Sequence, residues 1–373
     1  MDLSNAARDA TRVASVALVV LVSFFGFNGC GKPAESPVKS FVDEPFPKKL
    51  SEWHLFAGKR AFSQLNQRVL PYDLNTPLFS DYASKYRFVW MPVGASAKYR
   101  EDSVFDFPVG TVFVKSFAFP ANGDSTKERF VETRLLVHCK SGWVGLPYIW
   151  NTGQTEATLE LVPDPVHIRY VDSSGKNRDF TYFIPNANEC KQCHDNERVM
   201  LPIGPKARNL NKDFLYADGA ENQLARWTKV GYLQGTPSPE ALPKVARWDV
   251  PASGTLEARA RAYLDNNCAH CHQPGGTGGY TALDLRVASS DPKALGQCKS
   301  PNSAGRVGSL TYDLIPGHPE ESILVARMES TRPKEMMPQI GRSVVHEEGV
   351  ALIREWIRSL PSEGISCAQS VSR

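Results

Sequence analysis

Two five-residue runs constrain this chain more than anything else in it: Cys190-Lys191-Gln192-Cys193-His194 and Cys268-Ala269-His270-Cys271-His272. Each reads C-x-x-C-H, the spacing that attaches c-type haem. Two thiols one helical turn apart add across the two porphyrin vinyl groups as thioethers. The His that follows is then placed under the iron as an axial nitrogen. A zinc site or a redox dithiol uses C-x-x-C without demanding a His directly after it, and both copies here have one. Covalent attachment is therefore expected at Cys190, Cys193, Cys268 and Cys271, with His194 and His272 on the iron of two haem c groups. His270 reads as a spacer inside the second motif.

The start of the chain supplies a second constraint. Val13–Phe27 is an apolar run preceded by Arg8 and Arg12, and its length suits a signal-peptide core better than a spanning helix. It ends at Phe27-Asn28-Gly29-Cys30-Gly31, which resembles the lipobox of bacterial lipoproteins, in which Cys30 becomes the acylated first residue. The alternative is an uncleaved N-terminal anchor. Either way the mature protein is expected on the periplasmic side, where c-type haem is also attached. Gly31 stands where an Asp would mark inner-membrane retention, so the expected anchor is the outer membrane. Residues 1–30 are read as the signal and anchor segment, and 31–50, rich in Pro, Lys and Ser, as a tether.

A chain of 373 residues is long enough for two or three domains. Its formal charge of +3 and lack of a basic run exclude a nucleic-acid partner. From 51 to 185, short alternating runs broken by turn residues predict strands at 111–119, 130–139, 143–150, 157–162, 167–172 and 180–184. These imply a β-rich domain, an antiparallel sandwich or barrel. Residues 186–250 hold the first haem motif and a short helix near 221–230. From 251 to 373, three helices are predicted: 256–267, 319–330, and 346–360 with Val350, Ile353, Trp356 and Ile357 on one stripe. The fold class read from this pattern is multidomain α+β: a β-rich domain, then a mainly α-helical haem region.

Helix, haem motif, Met-Pro loop and terminal aromatic-bearing helix follow the order of class I cytochrome c domains, which residues 251–373 resemble. That resemblance implies a crossing of the first and last helices through Tyr263/Leu264 and Trp356/Ile357. It also implies a distal ligand from Met336-Met337-Pro338. Met337, directly before Pro, is the expected iron ligand, with Met336 as the neighbour able to replace it; Met328 reads as core. The sixth ligand of the first haem stays open among Met200, His138, His167 and a vacant position. His54, His138 and His167 otherwise read as surface or strand histidines. With four Cys on haem and Cys30 on lipid, Cys139, Cys298 and Cys367 remain, and Cys298–Cys367 is the preferred bridge because it closes a loop within one domain.

The two motifs, the lipoprotein-like start, and the runs Leu70–Asp81 (LPYDLNTPLFSD) and Pro202–Asn211 (PIGPKARNLN) together resemble a family of dihaem c-type cytochrome lipoproteins of Gram-negative bacteria. The resemblance implies periplasmic electron transfer between redox donor and acceptor proteins in the periplasm or membrane, with the membrane reached through the lipid. A dihaem peroxidase is the enzymatic alternative, though such proteins place the first motif early in the mature chain. A third reading makes the β-rich domain a binding module wired to the haems.

Overall fold

Short apolar runs between 84 and 150 build one antiparallel sheet, and described segments before and after it pack on both of its faces. The computed structural model describes residues 37–57, 64–121, 124–172, 175–302, 305–362 and 367. The export run Val13–Phe27, the lipidation candidate Cys30 and residues 31–36 of the tether lie outside the described residues.

The sheet is formed by β1 (Leu70–Tyr72), β2 (Ser84–Trp90), β4 (Val112–Ala121), β5 (Asp124–Cys139), β6 (Gly142–Trp150) and β7 (Ala157–Leu159), in that spatial order. The short β3 (Ala97–Lys98) stands outside it. One face carries Val112, Val114, Leu135, Val137, Leu146 and Tyr148 against Leu50, Trp53 and Leu55 of the N-terminal segment. The Trp53 indole donates to the Tyr148 hydroxyl at 2.7 Å, satisfying two buried polar groups at once. On the opposite face, Phe117 and Phe119 meet Ile168, Tyr170 and Tyr182 of a hairpin made by β8 (Val166–Val171) and β9 (Asn177–Tyr182). The sheet is open, with β1 and β7 at its edges, so of the expected sandwich or barrel it does not form the closed barrel.

After the hairpin come α1 (Ala187–His194), β10 (Asp195–Asn196), β11 (Val199–Met200), α2 (Ala207–Leu210), β12 (Asp213–Tyr216), β13 (Gly219–Asn222), α3 (Gln223–Lys229) and β14 (Leu233–Gln234), which pairs parallel with β3. Then follow α4 (Leu256–Asn267), α5 (Ile323–Glu329) and α6 (Glu347–Ser359). This corrects the expectation of a mainly α-helical haem region. The protein is mainly β and 22% helical, with six α-helices among the described residues. Two physical reasons account for the difference. Residues 186–250 build no core of their own; Leu210, Leu224, Trp227 and Tyr232 instead join Val89 and Phe113 on the sheet. The described residues from 268 to 322 run mostly as turns, bends and irregular chain, and the Cys298–Cys367 disulfide ties them to residue 367. The helix predicted over 319–330 is also interrupted. Ser322 is extended, and its hydroxyl donates to the His318 carbonyl at 2.8 Å, leaving a short 3-10 turn before α5.

The crossing of α4 and α6 does join Tyr263, Leu264, Trp356 and Ile357 in one cluster. Gly349 permits it, since a Cβ there would lie 2.5 Å from the Tyr263 hydroxyl. No helix among the described residues is long and apolar enough to cross a membrane.

One buried ion pair ties the segment around α2 to α4. Arg208 meets Asp265 at 3.0 Å, with 10% and 2% of the side chains exposed. Burial alone would raise the Asp265 carboxyl, but Lys206 and Arg208 outweigh it and hold it below its usual range. Asp265→Asn leaves the guanidinium buried without its counter-charge. It should cost about 3–5 kcal/mol in denaturant unfolding, whereas a loss under 1 kcal/mol would show that the pair is not the tie.

Candidate functional site

The first motif begins with a capped helix. The Asn186 side chain accepts from the backbone of Asn188 and Glu189, and the Glu189 carboxylate accepts from the Asn186 N–H. This capping box starts α1 at a fixed point, so Cys190 and Cys193 fall one turn apart on one side. The α1 helix packs on β6 at Gly145, where a Cβ would lie 3.1 Å from Cys190 Sγ and 3.4 Å from Met200 Cε. The second motif begins where α4 ends. The Cys268 and Cys271 backbone continues as turns, with the His272 N–H donating to the Cys268 carbonyl at 2.9 Å.

Both motif histidines are held in the same tautomer. His194 Nδ1–H donates to the Leu201 carbonyl at 2.6 Å. The Thr281 hydroxyl gives its proton to the Gly278 carbonyl at 2.7 Å, so its oxygen accepts from His272 Nδ1–H at 3.1 Å. Each ring therefore keeps a bare Nε2 lone pair. Burial lowers the His194 imidazole to about 4, helped by His270, Lys115 and Arg134; burial likewise lowers His272. Both rings are neutral near pH 7, the state that a metal requires.

A cavity of about 400 Å³ opens beside the second motif. Cys268, Cys271 and His272 line it from one side and Met337 from the loop before α6. Met328 also lines it while belonging to the core of α4, α5 and α6. Met336 is not among the lining residues. The Met337 backbone is clamped: its N–H donates to the Arg327 carbonyl at 2.9 Å, and Arg342 Nε donates to its carbonyl at 3.0 Å. Arg342 is buried and also reaches the Arg327 and Ser330 carbonyls. Its role was invisible in the sequence, where it is one arginine among loops.

The two motifs meet. Cys271 Sγ lies 3.2 Å from the Gln192 carbonyl, and Thr277 donates to the same carbonyl at 2.6 Å. The Glu197 N–H donates to the Gly275 carbonyl at 2.8 Å, stitching the chain after α1 to the loop after the second motif. Cys193, His270 and Cys271 place one ligand atom each within 4.8 Å of one another. Without a group attached, the closeness of the two sulfurs raises the Cys193 thiol and lowers that of Cys271. His270 is buried with Nδ1 unpartnered, which a spacer residue need not be.

The other open ligands are placed elsewhere. His138 Nδ1–H donates to the Phe107 carbonyl at 2.9 Å, and its ring stacks 4.5 Å from Trp143. His167 is exposed and pairs with Asp179 at 3.2 Å. Met200, beside Cys190, is the candidate that the fold brings to the first motif. Nothing in the sequence signalled the contact between motifs, because it runs through backbone carbonyls and turns. No protein-family model, no curated protein and no solved structure matches this chain.

His346 lines the cavity, accepting or donating at the Tyr263 hydroxyl over 2.9 Å and stacking on Phe79. Burial lowers it to about 4 from an ordinary 6.5. Between those values the unfolded chain binds the proton and the folded one does not, so stability falls as pH drops from 6.5 to 4. The contribution is about 3 kcal/mol. Unfolding of His346→Gln followed across that window should show a shallower slope than the parent; an identical slope would contradict the assignment.

Proposed function

We propose that this chain is an exported, lipid-tethered dihaem c-type cytochrome that carries electrons between donor and acceptor proteins of the periplasm or membrane. The single observation that carries the reading is the second motif's surround. His272, with its Nε2 left bare by Thr281, lines the same cavity as Met337, and Cys268 and Cys271 border it. That donor set fits haem c: two thioether-forming sulfurs, a neutral imidazole and a soft thioether. When bound, haem supplies a one-electron Fe(III)/Fe(II) couple.

The protein's own residues do the rest. Leu201 and Thr281 fix the imidazole orientation of His194 and His272. Arg342 and the Arg327 carbonyl hold the Met337 backbone, so the thioether is presented by a rigid loop. Leu283, Leu285, Ile323 and Val350 line the cavity with apolar surface and exclude water, which favours the reduced, less charged state. Contact between the motifs supports direct exchange between groups attached to them. Cys30 would supply the tether and the outer membrane the surface.

A second reading has its own observation. Cys193, His270 and Cys271 have the proximity of a mononuclear metal site. It leaves Cys190, Cys268, His194, His272 and the cavity without a role. A redox titration followed by absorption separates the readings, because two haem transitions are expected for a dihaem cytochrome and none for a mononuclear zinc site. Met337→Ala should abolish the thioether-to-iron charge-transfer band and lower one midpoint, with Met336→Ala leaving both unchanged. Carbon monoxide binding with rapid peroxide turnover by the parent protein would replace electron transfer by the peroxidase alternative.

A further inference from the structure

The sheet face under the first motif carries more positive charge than it neutralises. Arg87 on β2, Lys115 on β4 and Arg134 on β5 are direct register partners, Arg87 opposite Lys115 and Lys115 opposite Arg134. Directly opposed like charges on neighbouring strands repel, so such a row needs anions. Two are present. Asp73 pairs with Arg87 at 2.8 Å, and Glu132 pairs with Arg134 at 2.5 Å. Lys115, between them, forms no ion pair or hydrogen bond among the described residues; its ammonium meets only the Phe117 ring, 4.9 Å from the centroid. Arg87 Nη2 is also buried without a partner. Lys85, the next cation on β2, spends its ammonium on the Leu78 carbonyl at 2.7 Å.

The row lies at the first motif. Arg134 is opposite Pro147, two residues along β6 from Gly145, and Gly145 is the position that Cys190 approaches. Lys115 and Arg134 are both close enough for their charges to act on His194. The row runs away from Cys190: Arg134 is on the strand next to β6, and Lys115 and Arg87 lie one and two strand spacings of about 4.8 Å further on. A porphyrin held by its vinyl edge carries its carboxylates on the opposite edge, so the unpaired ammonium and guanidinium edge at the far end of the row call for an oxyanion delivered with whatever is attached there.

We propose that the Arg87–Lys115–Arg134 row is a carboxylate site that takes the propionates of the haem attached to Cys190 and Cys193. The inference rests on the haem reading of the first motif. It gives the sheet a function that the sequence did not suggest: it is the counter-charge for one porphyrin. A free oxyanion, such as phosphate or acetate, has the same chemistry and is the competing source.

The test uses the full-length protein loaded in a haem-ligating host. Haem content and both midpoint potentials are measured for the parent, Lys115→Met, Lys115→Arg and Arg134→Lys. With two haems retained, Lys115→Met should lower one midpoint and leave the other in place. At fixed ambient potential this raises the Fe(III)/Fe(II) ratio of that haem about tenfold. Lys115→Arg should restore the parent value, and Arg134→Lys should give a smaller shift in the same haem. Two haems with neither midpoint moved, or with both moved equally, would overturn the proposal. So would a parent midpoint that shifts on titration with phosphate or acetate and stops shifting in Lys115→Met, because the row then holds an exchangeable anion. A parent protein without haem absorption defeats the underlying reading instead, and is distinguishable from each of these outcomes.

Discussion

The contact between the two C-x-x-C-H runs is the constraint on which the rest of the structure depends. Cys271 and Thr277 both reach the Gln192 carbonyl, and Glu197 bonds back to Gly275. These bonds are short and made mostly to backbone, so they fix α1 against the loop after α4 without large side chains. The cavity beside them is bordered by both runs, through Gln192 and Cys193 of the first and Cys268, Cys271 and His272 of the second. The first motif has the sheet beneath it through Gly145, and the second has α4, α5, α6 and the Met337 loop around it.

Energy and chemistry divide between the parts. The sheet core of Trp53, Tyr148, Phe113 and Trp227 carries the apolar burial that makes the fold stable. The Arg208–Asp265 pair and the Asn266 side chain, which donates to the Thr76 carbonyl, attach the C-terminal helices to that core through polar groups. Such ties contribute modest net stability but are costly to break singly. The site itself keeps groups that a fold alone would not favour: neutral buried imidazoles, an orphan His270 nitrogen and an unpaired Lys115. Natural sequences concentrate such local conflicts where function requires them.

Several parts of the account were legible in the sequence, for definite physical reasons. Helix α4 was readable end to end, because Thr255 caps it by accepting from the Ala258 N–H and its apolar residues recur at helical spacing. The strands from 112 to 159 were readable as short apolar runs bounded by turn residues; both faces of the sheet are covered, so Val112–Phe119 is buried almost continuously. Counting thiols left Cys139, Cys298 and Cys367, and the Cys298–Cys367 bridge was the preferred pair because it closes a loop within one domain. The helical share of the haem region was not legible. Trp227 and Leu224 look like the stripe of an independent helical core, and only the tertiary structure shows that they complete the sheet's core. The Ser322 break was hidden because a Pro and two acids do start a helical turn there, and a hydroxyl then diverts the backbone. The charge row needed strand register, which no alternation pattern specifies.

The central claim is that both motifs carry covalently fixed porphyrins side by side. Mass spectrometry of the mature protein purified from a haem-ligating host tests it most directly, on the intact chain and on its proteolytic peptides. The account predicts an intact mass raised by two haem groups, one on the peptide containing Cys190 and Cys193 and one on that containing Cys268 and Cys271. An intact chain with no added macrocycle, or with both motif peptides at their unmodified masses, would contradict it.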